Sequence, residues 1–172
     1  PAGGTGIFHK LTKDKTADLF RLELKEHGRF VFAKKFSVGG VTYYALTQMA
    51  DAVGAALTFG YNADAVPKLV TVTDANGAVS QVVYNPAGHA SRIDDPFGGN
   101  VQFGYTNVGG VDRLSAITDQ AGYTSLLGHD PSGRMVSITT PMTAPDPTWQ
   151  FAYSGTSDRV SSITGPEAGV RS

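Results

Sequence analysis

The stretch "LSAITDQAGYTSLLGHDPSGR", residues 114–134, contains one complete copy of the pattern that decides the fold. Its first part, "LSAIT", carries apolar residues three apart and ends at the turn "DQAG". Its second part leads to His129 and is followed by the turn "DPSG". Asp, Pro and Gly favour tight turns, and short runs with apolar residues between such turns are typical of β-strands. The stretch therefore predicts a β-hairpin of about 22 residues.

The same pattern recurs along the chain. The inner apolar position of the first strand recurs at Met49, Val72, Ile93, Ile117, Ile138 and Ile163. The end of the second strand carries an aromatic ladder formed by Tyr61, Tyr84, Tyr105, His129 and Tyr153. A glycine precedes each of the first four ladder residues by seven positions, at Gly54, Gly77, Gly98 and Gly122. This fixed spacing indicates an internal repeat, in which the ladder has a structural role.

The repeat divides the chain into two regions. Residues 1–43 form a leading β-hairpin region, in which apolar and charged residues alternate on both sides of His27-Gly28. Residues 44–172 hold about five and a half repeats in one continuous domain. Because the last copy ends before its second strand, we expect the chain to be a section of a longer array.

Residues 45–57 also allow a different interpretation. Leu46, Met49, Val53 and Leu57 would share one face of a helix. The same positions align with repeats that contain β-branched residues and prolines, and this alignment favours strands.

The fold follows from how hairpins bury their apolar faces. A single hairpin with one apolar face is not stable in water, but neighbouring hairpins can join into one antiparallel sheet. Each repeat adds two strands, or about 9.6 Å of sheet. About thirteen strands exceed what an open twisted sheet usually holds. We therefore predict an all-β fold of stacked antiparallel hairpins whose continuous sheet curls into a spiral, shell or tube.

Composition excludes several classes of function. The formal charge of −1 and the pI of about 6.5 provide no overall basic field for nucleic acid or an anionic membrane. The absence of cysteine excludes disulfides and cysteine-ligated zinc. No apolar run approaches the ~18 residues of a membrane span, so no membrane insertion is expected.

No catalytic pattern stands out. His9, His27, His89 and His129 lack metal-ligand spacing, and no G-x-S-x-G motif is present. The pair His129-Asp130 resembles a catalytic pair, but the repeat places it at a ladder position and a turn. The "DPFG" at Asp95 and the "DPSG" at Asp130 are likewise interpreted as turns, with self-cleavage as the alternative. We predict no enzymatic activity and no catalytic, cofactor or metal site.

A row of basic residues is the one candidate binding site. The basic row consists of Lys68, His89, Arg113, Arg134 and Arg159, each just before a first strand. In a stacked sheet these residues would follow one edge at intervals of about 10 Å. One interpretation is turn solvation with ion pairs to Asp112, Asp130 and Asp158. The other is a groove for anionic glycans, because arginine suits sulfate and carboxylate groups.

The pattern "GYN", "VYN" or "GYT" followed by "GR-L-x-x-I-T-D-x-x-G" resembles the YD repeat of rearrangement hotspot (Rhs) proteins, insecticidal toxin complexes and teneurins. The Tyr-Asp pair is replaced here, as at Tyr61-Asn62, Tyr105-Thr106 and His129-Asp130. The resemblance implies a β-shell that encloses a toxin in bacterial members and an extracellular scaffold or adhesion surface in others.

The leading functional prediction is a structural scaffold of a secreted or cell-surface bacterial protein. Its partners would be further repeats of the same polypeptide or other copies of the chain, joined end to end. The alternatives are a module that binds glycans or a cell-surface receptor, and part of a shell around a polymorphic toxin. No nucleic acid partner is expected.

Overall fold

The computed structural model describes residues 9–25, 27–141 and 146–166. All regular structure in these ranges is β-strand. The strands are β1 (Lys10–Asp14), β2 (Leu19–Glu23), β3 (Arg29–Val38), β4 (Val41–Ala50), β5 (Ala56–Tyr61), β6 (Leu69–Thr73), β7 (Val79–Tyr84), β8 (Ala90–Asp94), β9 (Asn100–Val108), β10 (Val111–Thr118), β11 (Thr124–His129), β12 (Met135–Thr139), β13 (Thr148–Tyr153) and β14 (Val160–Thr164). The described residues contain no helix of the length and apolarity that a membrane crossing requires.

The described strands form one 14-stranded sheet whose order follows the chain from β1 to β14. The neighbouring strands whose register is defined are antiparallel. This confirms the prediction of an all-β fold built from stacked antiparallel hairpins. The interpretation of residues 45–57 as strands is also confirmed, because β4 and β5 occupy this segment and meet at a turn.

The chain divides into two compact units. The first comprises Pro1–Val82 with Asp95–Phe97, and the second comprises Val83–Asp94 with Gly98–Ser172. Both contain the same repeated elements.

A β-bulge recurs at one position of the repeat. In the second unit, Tyr105 pairs with Leu114 and Gly104 pairs with Ala116, so Ser115 is an extra residue. The same shift occurs between β5 and β6, between β11 and β12, and between β13 and β14. In a regular strand, residues three apart lie on opposite faces, whereas one bulged residue returns them to the same face. The bulge thus explains the three-residue spacing of Leu114 and Ile117.

The small residue before the ladder position follows from the same register. A Cβ added at Gly104 would lie 3.1 Å from the Cβ of Ala116. A Cβ added at Gly128 would collide with the Ser137 hydroxyl. The strand opposite the bulge therefore comes close at Gly104 and Gly128, which favours a small residue there, and Ala152 holds the same position before Tyr153.

The apolar side chains of each unit form rows on one face of the sheet. In the second unit, Ile138 pairs with Leu127 on one side and with Trp149 on the other. Cross-strand partners share a face, so such pairs extend into continuous rows. Among the described residues only Ala50, at 8 % exposure, is buried. The rows are thus half-buried, and cross-strand packing within one layer provides the hydrophobic contacts.

One five-residue turn joins many of the strands. In the turn that begins at Asp130, the Oδ1 atom accepts hydrogen bonds from the backbone N–H groups of Ser132 and Arg134 at 2.9 and 3.0 Å. Gly133 has φ of 80°, which favours glycine. Equivalent carboxylate-to-backbone bonds occur at Asp51, Asp74 and Asp119. The Asp-x-x-Gly pattern of the sequence thus encodes a specific, capped turn.

Candidate functional site

The basic row lies where each second strand leads into the next first strand. His89 and Arg134 end five-residue turns, and Arg113 lies near the start of β10. These three residues belong to the second unit, as does Arg159, whereas Lys68 belongs to the first. The contacts of each side chain show what the row does.

His89 contacts the next hairpin in two ways. Its Nε2 atom lies 3.2 Å from the Oδ2 atom of Asp112. Its ring stacks on Tyr105, with centroids 4.8 Å apart and an interplanar angle of 26°. The Asn107 amide and, second to it, the His89 ring lower the pKa of Asp112 through hydrogen bonds. His89 therefore links its own turn to the β9–β10 hairpin.

Arg113 reaches the following turn. A Cβ added at Gly133 would lie 2.8 Å from its Nη2 atom and 2.9 Å from its Nε atom. The guanidinium is therefore packed flat against the backbone of the turn at Gly133. Its Nε atom is buried and has no hydrogen-bond partner among the described residues.

Arg134 makes the most extensive set of contacts in the row. It forms an ion pair with Asp130, whose Oδ2 atom accepts from Nε at 2.8 Å and from Nη2 at 2.7 Å. Its Nη1 atom donates to the carbonyl oxygens of Gly155 and Ser157 at 2.9 and 3.0 Å. The guanidinium also lies 4.7 Å from the ring centroid of Tyr153. Arg134 thus joins its own turn to the turn that precedes β14.

The two outer members differ from these three. Lys68 lies 3.3 Å from Asp64 of its own loop. Arg159 is exposed, and its backbone N–H donates to the Ser157 hydroxyl at 3.1 Å. The structure therefore shows His89, Arg113 and Arg134 in one shared role, which is to connect consecutive hairpins along an edge of the sheet.

The aromatic ladder has a matching role in the strands. The hydroxyls of Tyr61, Tyr105 and Tyr153 donate to the backbone oxygens of Leu46, Ala90 and Met135 at 2.7, 2.8 and 2.7 Å. Each acceptor lies in the preceding strand, two residues before the segment over which the two strands pair. The tyrosine hydroxyl thus satisfies a carbonyl where strand pairing has ended. Tyr84 occupies the corresponding place at the end of β7.

His129 breaks this pattern. It pairs with Met135 across a bulge, as the ladder tyrosines do with their partners. Its Nδ1 atom is buried without a hydrogen-bond partner among the described residues. Asp130 beside it is engaged in the turn and in the ion pair with Arg134. Hydrogen bonds from Arg134 hold the pKa of Asp130 below its usual value, and the backbone N–H has a larger effect than the guanidinium.

No group of three or more His, Asp or Glu side chains in the described ranges could hold a metal ion. At the other "DP" turn, the Oδ1 atom of Asp95 accepts from the backbone N–H of Phe97 at 2.7 Å. Both aspartates thus act as turn caps in this structure.

Sequence reasoning missed two features of the first unit. One is an open apolar groove of about 700 Å³, whose lining includes Leu24, Phe30, Met49 and Leu57. Four alanines between residues 50 and 56 belong to its lining, and such short side chains give no sequence signal of a groove. The other is a group of lysines and aromatic residues around the β3–β4 hairpin, which the overall charge concealed.

Comparison of the chain with protein-family models and with curated proteins gives no match.

Proposed function

We propose that this chain is a section of a structural β-scaffold outside a bacterial cell, in which further hairpins extend the sheet into a wall, tube or shell. The resemblance to YD repeats motivates the location and the scale of this assembly. The recurrent contacts of the ladder and the basic row motivate the mechanism. The observation that carries the proposal is the contrast between the two end strands of the sheet.

Strand β14 is the last strand of the described sheet, and no other strand of the described ranges pairs with its outer edge. All five of its residues are exposed, and "VSSIT" contains no charge. Val160 is 47 % exposed and Ile163 is 60 % exposed. Val160 also pairs with Tyr153 across a bulge, as Met135 does with His129. A following hairpin of the same type would cover Ile163 and place a tyrosine hydroxyl at the Val160 carbonyl.

Strand β1 presents a protected edge. Lys13 pairs with Phe20 and therefore lies on the apolar face of the sheet. At this position of the face, the hairpins that follow have Phe or Leu instead of a charged residue. Its Nζ atom lies 5.3 Å from the ring centroid of Phe20. A charge that points inward on an edge strand opposes pairing with another strand. Growth of the sheet is therefore expected beyond β14 rather than beyond β1.

The glycan-binding alternative has less support from the contacts. The side chains of His89 and Arg134 already bind acceptors of the neighbouring hairpins. An anionic glycan would have to compete with these contacts, and Arg159 is the exposed member of the row. The contacts favour a structural role for the basic row.

Light scattering after size-exclusion chromatography tests the scaffold proposal. We expect the chain to associate increasingly with concentration, and Ile163→Lys to weaken this association by placing a charge on the outer edge of β14. Leu11→Lys is the matched control, because Leu11 is 62 % exposed on the protected end strand. A monomer at all concentrations, or equal effects of the two substitutions, would contradict the proposal.

A further inference from the structure

The β3–β4 hairpin is longer than the strands beside it. Strand β3 pairs with β2 only over residues 29–32, and β4 pairs with β5 only over residues 48–50. The pairs from Lys34–Ala45 to Val38–Val41 lie beyond both neighbours. Residues 34–45 thus form a two-stranded extension, which we call the ribbon.

One face of the ribbon is apolar and accessible. Phe36 pairs with Tyr43 and Val38 pairs with Val41, so the four side chains share a face. The rings of Phe36 and Tyr43 stack with centroids 5.4 Å apart. Val38, Val41 and Tyr43 are 45 %, 54 % and 46 % exposed.

The tip of the ribbon is clear of other parts of the described structure. Cβ atoms added at Gly39 and Gly40 would have no neighbour within 4 Å. Both glycines have positive φ, 56° and 79°, as a two-residue hairpin loop between antiparallel strands requires. A partner could therefore approach the tip without displacing another segment of the described ranges.

Lysines surround the base of the ribbon. The lysine cluster consists of Lys13, Lys15, Lys34 and Lys35. The Nζ atoms of Lys13 and Lys35 both lie 5.9 Å from the ring centroid of Tyr44. Lys35 also forms an ion pair with Asp18 at 2.6 Å. This ion pair holds the β1–β2 turn, which contains Lys15, beside the ribbon.

The formal charge of −1 hides a strong separation of charge along the chain. Residues 1–50 contain eight Lys or Arg and four Asp or Glu, whereas residues 51–172 contain six and eleven. The ribbon thus emerges from the basic part of an otherwise acidic chain. An anionic partner would be attracted to this part and repelled by the rest.

The β9–β10 hairpin provides an internal comparison. It has the same Val-Gly-Gly-Val tip, with positive φ at both glycines. Behind its tip, however, Thr106 pairs with Arg113 where the ribbon has Phe36 and Tyr43. A Cβ added at Gly109 would lie 3.6 Å from the Pro131 oxygen, so this tip packs on a neighbouring turn. The turn therefore explains the shared glycines and valines, but not the aromatic pair or the lysine cluster of the ribbon.

We propose that the ribbon docks on an anionic lipid bilayer, with its apolar tip in the interface and with Lys15 and Lys34 of the lysine cluster at the lipid phosphates. Aliphatic side chains gain free energy by entering the acyl boundary, which a hydroxylated sugar surface does not offer. Tyrosine favours the interfacial region, and lysines near an anionic surface add attraction. This inference goes beyond the scaffold proposal and does not depend on it.

Co-sedimentation of the full chain with vesicles tests the inference. We expect binding to vesicles of phosphatidylcholine with phosphatidylglycerol to exceed binding to phosphatidylcholine alone by about tenfold or more, and to weaken with added salt. The tip variant Val38→Ser/Val41→Ser and the charge variant Lys15→Glu/Lys34→Glu should each reduce binding by about tenfold. Circular dichroism verifies that each variant retains its β-structure.

The matched control is Val111→Ser in the β9–β10 hairpin, where Val111 is 50 % exposed. It should bind vesicles as the unmodified chain does. Equal binding to both kinds of vesicle, or full binding by the tip variant, would overturn the inference. Retention on heparin that depends on Lys15 and Lys34, without any vesicle binding, would overturn it in favour of an anionic polysaccharide.

Discussion

His129 shows most directly what a single residue does in this repeat. The ladder tyrosines reach a carbonyl oxygen of the preceding strand, and the equivalent acceptor for residue 129 is the carbonyl of Leu114. An imidazole is shorter than a phenol, and its Nδ1 atom is left buried without a partner in the described structure. We expect His129→Tyr to add the missing hydrogen bond. The gain should be about 1 kcal/mol, or a rise in Tm of about 2–4 °C.

Two substitutions separate this hydrogen bond from ring packing. His129→Phe provides the ring without the hydroxyl, so it should gain less than His129→Tyr. Tyr105→Phe removes the hydroxyl that donates to Ala90, so it should lower the free energy of unfolding by about 1 kcal/mol. Thermal unfolding followed by circular dichroism measures all three. If His129→Tyr were destabilising, residue 129 would not be equivalent to the tyrosines.

At the scale of one element, the turn at residues 130–134 combines a cap with an ion pair. Because the pKa of Asp130 is lowered in the folded chain, its stabilising effect is complete above the ordinary value of 3.8. The effect is lost as pH falls below that value and through the lowered pKa. Asp14, Asp18 and Asp112 have lowered pKa values too, so we expect acid to destabilise both units.

The substitution Asp130→Asn isolates the ion pair. The turn at Asn85 shows that an amide oxygen can cap, since it accepts from the backbone N–H of His89 at 2.9 Å. We therefore expect the variant to fold, to be less stable than the unmodified chain at pH 7, and to lose less stability between pH 5 and pH 2. Urea unfolding across this range measures the difference. A variant with an unchanged acid dependence would show that the Asp130–Arg134 pair does not contribute to it.

At the scale of the whole molecule, a repeat should be removable as a unit. Leu114 and Met135 hold the same repeat position, and each pairs with a ladder residue across a bulge. Deletion of residues 114–134 joins Arg113 to Met135 and removes an even number of strands. The direction of every later strand is then unchanged, and repeat proteins are stabilised mainly by neighbouring units. We expect a folded, all-β chain with a lower Tm.

Deletion of residues 119–129 is the contrasting test. It removes one strand and one turn, so every later strand would have to run in the opposite direction. We expect this chain to lose its cooperative thermal transition in circular dichroism. Similar unfolding curves for the two deletions would show that the repeat boundary has no structural meaning.

Much of the fold could be predicted because the repeat makes each local pattern visible several times. Alignment with clearer copies predicts strands for the ambiguous segment at residues 45–57, and β4 and β5 are found there. The bulge could not be predicted with the same ease, although the spacing of Leu114 and Ile117 records it. A bulge depends on how two strands pair, and the residue pattern of one strand does not indicate its register with the partner strand.

The candidate site shows the same division. The sequence located the basic row, and the interpretation as ion pairs with turn aspartates applies to Arg134 and Asp130. It did not indicate that Arg134 also binds the carbonyl oxygens of the next turn, or that Arg113 packs on Gly133. These contacts join residues about 20 positions apart, and they exist only when consecutive hairpins lie side by side.

Turn chemistry and hydrophobic periodicity are local, so the amino-acid order alone determined the repeated hairpins and their positions. The described sheet has 14 strands rather than about thirteen, and β1 is the strand that the sequence pattern did not indicate. Contacts between hairpins depend on distances that arise only after the strands have paired. The tertiary structure therefore decided which carbonyls the tyrosines reach and that β14 is exposed along its whole length within the described residues. It also decided that the β3–β4 ribbon extends beyond its neighbours while the similar β9–β10 tip packs against a turn.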